Sequence, residues 1–369
     1  MPTKSEYEDV VEAEKAQLES DDNDETPPND IVAFNELRSC ADLLRMYRAE
    51  QLDIKPEFQR DVVWPKTAQT RFIDSLVKQL PIPSMCISLD YNSGDRLMID
   101  GLQRIWSVIC FLSDDDFKLS KLDDIDTRIS GRSVKWIAEK HADVYARVEN
   151  LTIPITVLRC DYKKRSHMEY LFTIFHRLNT GGNKLSNQEI RNCIFQGAFN
   201  DALKEIAQNK KFRRIFGLAP GQSYRFQYEE FILRVLAMES RYKDYNGKLS
   251  KFLNDYMEEN RGLDPSSVDA LIVRFQRVVD VVFNKILARS KLPKLSRTTV
   301  EALFVAVLRH IDRLESLPKK DLTNLFKEIR EAPQFSLASL KEGLSHTDKV
   351  VGRLDAAIAI ASHICGDGC

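Results

Sequence analysis

The chain has 369 residues, 43% hydrophobic and 30% charged, with a net charge of −1. That is enough apolar material for one large domain or two ordinary ones. It contains no apolar run of the roughly 18 residues that a membrane helix needs. The first thirty positions carry acids instead of a basic-then-apolar leader, so the expectation is a protein with neither membrane span nor secretion signal, resident in the cytoplasm.

The near-zero net charge is unevenly spread. Residues 1–30 hold eleven acids against Lys4 and Lys15, which leaves about eight positive charges in excess on the rest. This stretch ends in Asn23–Asp30 with two prolines and almost nothing apolar, and reads as a disordered acidic arm, with a transient helix over residues 5–19 as an option. The positive body permits binding to a polyanion such as DNA without establishing it. Seven scattered cysteines, five in apolar runs, suit a reducing compartment. Cys365 and Cys369 at the end make only half a zinc site, and no metal site is expected.

From Ile31 the apolar spacing of Phe34, Leu37, Leu43, Leu44 and Tyr47 predicts one or two short helices, and Leu52 to Phe58 an extended stretch. Pro65 opens a helix carrying Phe72, Ile73, Leu76, Val77 and Leu80, which Pro81 and Pro83 stop. Two short β-type runs follow, 85–89 and 96–99, joined by the turn-forming Tyr91–Asp95. Residues 105–112 are apolar almost all round and predict a buried helix. Residues 113–148 read as an irregular excursion with some helix, 153–158 as a strand, and 169–178 as a second buried helix. From about Gln227 onward the spacing is helical throughout.

Three segments have the composition of a site. In the first, Phe58 to Trp64, Arg60 offers a planar fork for phosphate and Trp64 a face for a base. Its plain alternative is a surface Arg60–Asp61 pair with Trp64 as core filler. The second, Asp100-Gly101-Leu102-Gln103-Arg104, is a strand, a glycine turn and a helix start, a junction whose free backbone N–H groups suit an anion. Here too a structural account competes, with Asp100 as N-cap and Gln103 completing a capping-box-like pattern. Arg104 is left over, because a cation in the first turn opposes the helix dipole. Its anion is either a protein carboxylate such as Asp100 or a bound phosphate, and the sequence leaves both open.

The third segment runs from Phe175 to Asn192. Its glycine pair, Gly181 and Gly182, lets backbone approach a ligand beside Asn179 and Thr180, while Ser186 and Glu189 form a complete capping box for the helix that follows. His176 sits in an apolar run, where a core or rim role is the ordinary one. The chain lacks His-Glu-x-x-His, Gly-x-Ser-x-Gly and a phosphate loop ending in Gly-Lys-Ser or Gly-Lys-Thr.

In this order, with helices behind them, the segments resemble the GmrSD-type N-terminal domain family of restriction systems, over roughly residues 31–260. Asp100 to Arg104 is similar to the family's Asp-Gly-Gln-Gln-Arg signature, with Leu102 in place of its first glutamine. Phe175 to Arg191 is similar to its Asn-x-Gly-Gly segment and the Glu-Ile-Arg helix start. The resemblance implies an α+β fold: a small ParB/sulfiredoxin-like α/β core at residues 31–160 after the arm at 1–30, then a mainly helical domain at 161–369. It implies nucleotide binding, with hydrolysis of an NTP coupled to recognition of modified or foreign DNA, and a nuclease supplied separately, since none of the six histidines forms a His-Asn-His motif. Sulfiredoxin chemistry is not implied, because the glycine turn holds no cysteine.

The expected regulatory or sensor protein therefore holds nucleotide through Arg60, Trp64, Gly101, Arg104, Asn179, Gly181, Gly182 and Arg191. Asp100 and Gln103 orient water or a magnesium ion beside Arg104. The alternative is a non-enzymatic DNA-binding module that adds Lys204, Lys210, Lys211, Arg213 and Arg214 against backbone phosphates. A nuclease within the α/β core is a weaker alternative.

Overall fold

The computed structural model describes residues 28–54, 64–178, 185–218, 226–341 and 344–366. The chain divides between Leu185 and Ser186 into two compact units. The first is built on a five-stranded mixed sheet and the second is helical, so the α+β expectation holds. None of the described helices is long and apolar enough to cross a membrane.

The first unit contains β1 (Val32–Ser39), α1 (Cys40–Arg48), β2 (Leu52–Asp53), α2 (Lys66–Val77), β3 (Met85–Asp90), β4 (Arg96–Asp100), α3 (Leu102–Ser113), α4 (Val134–Lys140), α5 (Ala142–Asn150), β5 (Thr152–Cys160) and α6 (Arg165–Leu178). Its strands lie in the order β1-β5-β3-β4-β2. β3 and β4 are the expected antiparallel hairpin, whereas β3 runs parallel to β5 and β4 parallel to β2. Ile73, Leu76, Ile87, Ile105, Val108, Phe111 and Ile155, all buried, come together in one core between sheet and helices.

Residues 32–39 correct the expectation of helix. They pair along their whole length with β5, from Val32 opposite Arg159 to Ser39 opposite Thr152. Phe34 and Leu37 have helical spacing, but Leu37 is 69% exposed and Phe34 39%, so neither marks a core face. Ladder hydrogen bonds to β5 decide the conformation, overriding local spacing. The helix begins only at Cys40, where the Ser39 hydroxyl accepts from the Asp42 N–H as an N-cap. The sequence reading drew a boundary at residue 160. In the structure α6 packs on β4, so it stays with the sheet, and the division comes at 185/186.

The second unit begins with α7 (Asn187–Ile194), α8 (Ala198–Ala207), α9 (Lys210–Ile215), α10 (Gln227–Arg241), α11 (Leu249–Asn260) and α12 (Pro265–Val281). After a π-helical turn at Val282–Ile286 come α13 (Arg297–Arg309), α14 (Ile311–Leu314), α15 (Lys319–Glu331), α16 (Leu337–Lys341) and α17 (Thr347–Ile364). Every residue of α13 from Thr299 to Leu308 is buried, which makes it the central helix. Phe212 lies within 6.3–6.4 Å of the Phe231, Phe275 and Phe304 rings and packs α9, α10, α12 and α13 together. The expected capping box starts α7: the Ser186 N–H donates to Glu189 Oε2 at 2.6 Å, and the Glu189 N–H to the Ser186 hydroxyl at 3.2 Å.

Candidate functional site

Because β3 and β4 are antiparallel, the end of β4 lies beside the beginning of β3, with Asp100 opposite Cys86. The chain must then turn at once into α3 while passing Met85. Gly101 makes that turn with φ +99°, the left-handed region, and a Cβ added to it would lie 2.7 Å from Met85 Cγ. Both conformation and space therefore require glycine.

This turn moves the helix start. Gly101, not Asp100, is the N-cap, and among the described residues no side chain caps the first turn of α3. The expectation of an Asp100 cap closed by Gln103 is thereby corrected. Asp100 stands one residue outside the cap and four before Arg104, so its carboxylate meets the guanidinium instead. Arg104 Nη2 donates to Asp100 Oδ2 at 2.6 Å, and Nη1 donates to the carbonyls of Pro83 at 2.6 Å and Ser84 at 3.3 Å.

Of the two anions left open for Arg104, the protein supplies one itself. The pair is half sheltered, with 14% of the Arg104 side chain and 34% of the Asp100 side chain exposed. Among the described residues nothing accepts from Arg104 Nε or from the second Nη2 hydrogen, and nothing donates to Asp100 Oδ1. The ion pair thus has unused donors and an unused acceptor.

Gln103 has another task. Its Oε1 accepts from the Trp64 N–H at 2.8 Å, while Gln69 Nε2 donates to the Trp64 carbonyl at 2.9 Å. The Trp64 ring meets Phe72 edge to face at 5.8 Å and packs on the core, as does Leu102. Trp64 is thus core packing whose backbone is fastened to α3, and Leu102 fills apolar space where the resembled signature has an amide.

The sequence reading missed the neighbours of the turn. Ser84 Oγ lies 3.3 Å from Thr156 Oγ1, which donates to Asn35 Oδ1 at 2.9 Å. A polar row thus runs from Ser84, the residue before β3, to β5 and β1, starting at the Arg104 end. The only signal for it in the sequence is a polar residue within two apolar strands and just before a third. Beneath the turn, burial and the nearby Asp100 carboxylate push the Cys86 thiol up to about 12, so it is an inert core thiol.

Arg60 and the segment Asn179, Gly181 and Gly182 lie outside the described residues. Arg191 belongs to the helical unit and is 1% exposed. Its Nε donates to Asn254 Oδ1 at 2.8 Å and its Nη2 to Ser250 Oγ at 3.2 Å, while Nη1 lies 3.3 Å from both Gln188 Oε1 and Glu230 Oε2. In that unit it ties α7 to α10 and α11. Within the basic stretch, Lys210 and Arg214 are exposed, Lys204 pairs with Asp201 at 3.2 Å, and Lys211 pairs with Asp280 at 2.5 Å.

Among the described residues the turn offers one carboxylate to a magnesium ion, fewer than a site built by protein side chains alone would need. Asp100 is the acid there with Oδ2 already taken by Arg104, and no group of three or more His, Cys, Asp or Glu side chains able to hold a metal occurs among the described residues. No chemical step through such an ion is derived.

Residues 40–196 match the family model described as GmrSD restriction endonuclease, N-terminal domain. The match runs from α1 through α7 and contains the Asp100–Arg104 turn, which bears out the resemblance read from that signature and from Phe175 to Asn192. No curated protein and no solved structure matches the chain.

Proposed function

We propose that this chain is a component of a DNA restriction or phage-defence system whose N-terminal unit binds a nucleoside triphosphate at the Asp100–Arg104 turn. One observation carries the reading: α3 opens on a left-handed glycine with no side-chain cap among the described residues, and a guanidinium with unused donors stands in its first turn. Uncapped first-turn N–H groups beside an arginine favour phosphate oxygens, and charge-assisted bonds to them are the strong kind. The name of the matched domain supports placing this turn in a restriction system.

In this proposal Asp100 keeps its grip on Nη2 and so fixes the guanidinium plane. The Nε and second Nη2 hydrogens of Arg104 then take the phosphate. Asp100 Oδ1 orients the water that attacks the terminal phosphorus, and the bridging oxygen leaves with the nucleoside diphosphate. Gln103 and Trp64 act as braces of the turn. Arg60, Asn179, Gly181 and Gly182 complete the phosphate contacts, and a separately encoded nuclease carries out DNA cleavage.

Phosphate release from each of the four common ribonucleoside triphosphates, measured for the purified chain and for Asp100→Ala and Arg104→Ala, tests hydrolysis. The expected result is turnover that falls by roughly a hundredfold or more in either variant, the scale of losing a transition-state contact. Equal background rates in all three proteins refute hydrolysis.

The internal Asp100–Arg104 pair favours a second reading, in which the turn is structural and the chain is a DNA-binding module using exposed Lys210 and Arg214. DNA affinity would then fall steeply with salt, by about 0.9 log units per log unit for each phosphate neutralised, with no nucleotide bound. Tight nucleotide binding with salt-insensitive, negligible DNA affinity decides for the first reading.

A further inference from the structure

The sheet of the first unit ends in two unlike edges. One is β2, two residues long, and the other is β1, which runs for eight residues with β5 as its neighbour on one side. A very short edge strand is one of the ways in which proteins prevent strands of separate molecules from pairing. β1 has none of the usual guards: it holds no proline and no lysine, and its register with β5 is one for one from Val32 to Ser39, without a bulge. Among the described residues, no hydrogen bond is made to the outward backbone groups of Val32 to Arg38. Both faces of the strand carry exposed apolar side chains, Val32 at 52% and Phe34 at 39% on one and Leu37 at 69% on the other. Leu37 is the most exposed large apolar residue among those described.

The charged residues of β1 are Glu36 and Arg38, and they cancel. Arg38 Nε and Nη2 each donate to a Glu36 carboxylate oxygen at 2.9 Å, and Nη1 donates to Asp42 Oδ2 at 2.8 Å. The strand therefore meets an incoming strand without net repulsion. Standing two apart, Glu36 and Arg38 share one face, and Leu37 between them points to the other. That order is complementary to itself. When a second β1 lies antiparallel about a two-fold axis at Leu37, Glu36 of each copy stands opposite Arg38 of the other, Leu37 meets Leu37, and Asn35 meets Ser39. Opposite charges across a strand pair stabilise it and like charges destabilise it. An axis at Glu36 would set carboxylate against carboxylate, and an axis at Arg38 guanidinium against guanidinium.

We infer that β1 is a dimerisation edge, which pairs antiparallel with β1 of a second copy of this chain so that two five-stranded sheets join into one. Main-chain hydrogen bonds supply the affinity of such strand addition, and the side chains on alternate faces supply its specificity. The two-fold axis lets one surface serve both copies, which is the common symmetry of homodimers. The ladder spans Asn35 to Ser39, because the chain turns into α1 at Cys40. A contact of this length belongs to the weak, reversible class of interfaces. It uses no residue of the Asp100–Arg104 turn and does not depend on nucleotide binding there.

Sedimentation equilibrium of the full chain tests the edge. A reversible dimer is expected, with a Kd of roughly 10 μM. Leu37→Lys, at an exposed side chain, should weaken it about tenfold or more and leave the circular dichroism unchanged. Glu36→Arg and Arg38→Glu should each weaken it as well, because each sets like charges opposite one another across the two-fold axis. An equimolar mixture of these two variants should recover a dimer, since each supplies the charge that the other lacks; a general loss of stability would not be repaired by mixing. If Arg38→Glu fails to fold, Leu37→Lys decides alone. The inference is overturned by a parent chain that stays monomeric up to about 100 μM, which leaves the edge to a strand of a different protein. It is equally overturned by a dimer that Leu37→Lys leaves intact, which places the contact elsewhere, or by two folded charge variants that do not associate when mixed.

Discussion

Gly101 is held by two independent constraints, a left-handed backbone and the Met85 side chain 2.7 Å from where a Cβ would sit. Gly101→Ala should therefore cost about 1–3 kcal/mol of stability, the range for a strained backbone position, and urea unfolding measures it. Methionine can shift, so the contact alone would be tolerated, whereas the backbone strain would remain. The same glycine explains why the sequence misreads its neighbours. Asp and Gln three apart before an apolar run look like a cap, and only the φ of Gly101 displaces Asp100 from the cap onto Arg104. That the arginine needs an anion was legible from its place in a first turn; which anion was not. Trp64 is similar, because its tie to Gln103 joins residues that are distant in sequence and depends on how α2 and α3 pack.

Among the elements, those with a strong period were legible: the β3–β4 hairpin, the buried α3, α6, and the helices after Gln227. β1 was not, since its Phe34 and Leu37 follow helical spacing by accident of exposure, and its strand state comes from pairing with β5 120 or so residues later in the chain. The polar row from Ser84 through Thr156 to Asn35 has the same origin, being formed between β5, β1 and the residue before β3.

Two elements carry a pH signature. Just before β1, Asp30 accepts from the Lys164 ammonium and lies 2.8 Å from His167 Nε2, while His167 Nδ1 accepts from the Asp161 N–H, so the neutral ring carries its proton on Nε2. The Lys164 and His167 bonds hold the Asp30 carboxyl down at about 2. A lowered carboxyl stabilises the fold above its ordinary value of 3.8. That contribution fades as pH falls through about 2. Asp30→Asn should remove the acid-side slope in that window, read by circular dichroism along an acid titration.

In α10 the sign is opposite. Burial pushes the Glu229 carboxyl up to about 7 from 4.5, against the pull of Lys204 and Arg213. The folded state then holds a proton that the unfolded state releases, so stability is greatest below 4.5 and declines as pH rises through about 7. The decline should amount to as much as about 3 kcal/mol, and Glu229→Gln should abolish it in chemical denaturation series across that range.

For the whole molecule, the charge division is the feature with functional reach. The acids of residues 1–30 offset a positive remainder, and within that remainder much of the basic charge is already paired, as Lys204 with Asp201 and Lys211 with Asp280. Surface pairs of this kind contribute little to stability but reduce the field that DNA would meet. In the first unit, Arg104 at the Asp100–Arg104 turn keeps donors that no described residue takes up.

Equilibrium binding of a non-hydrolysable nucleoside triphosphate analogue to the parent chain and to Arg104→Ala, followed by calorimetry at fixed salt, addresses the proposed nucleotide site without requiring turnover. The parent should bind at about micromolar Kd and the variant at least tenfold more weakly. Equal affinities in the two proteins, or no binding by the parent, would mean that Arg104 serves Asp100 alone and that the turn is a structural joint.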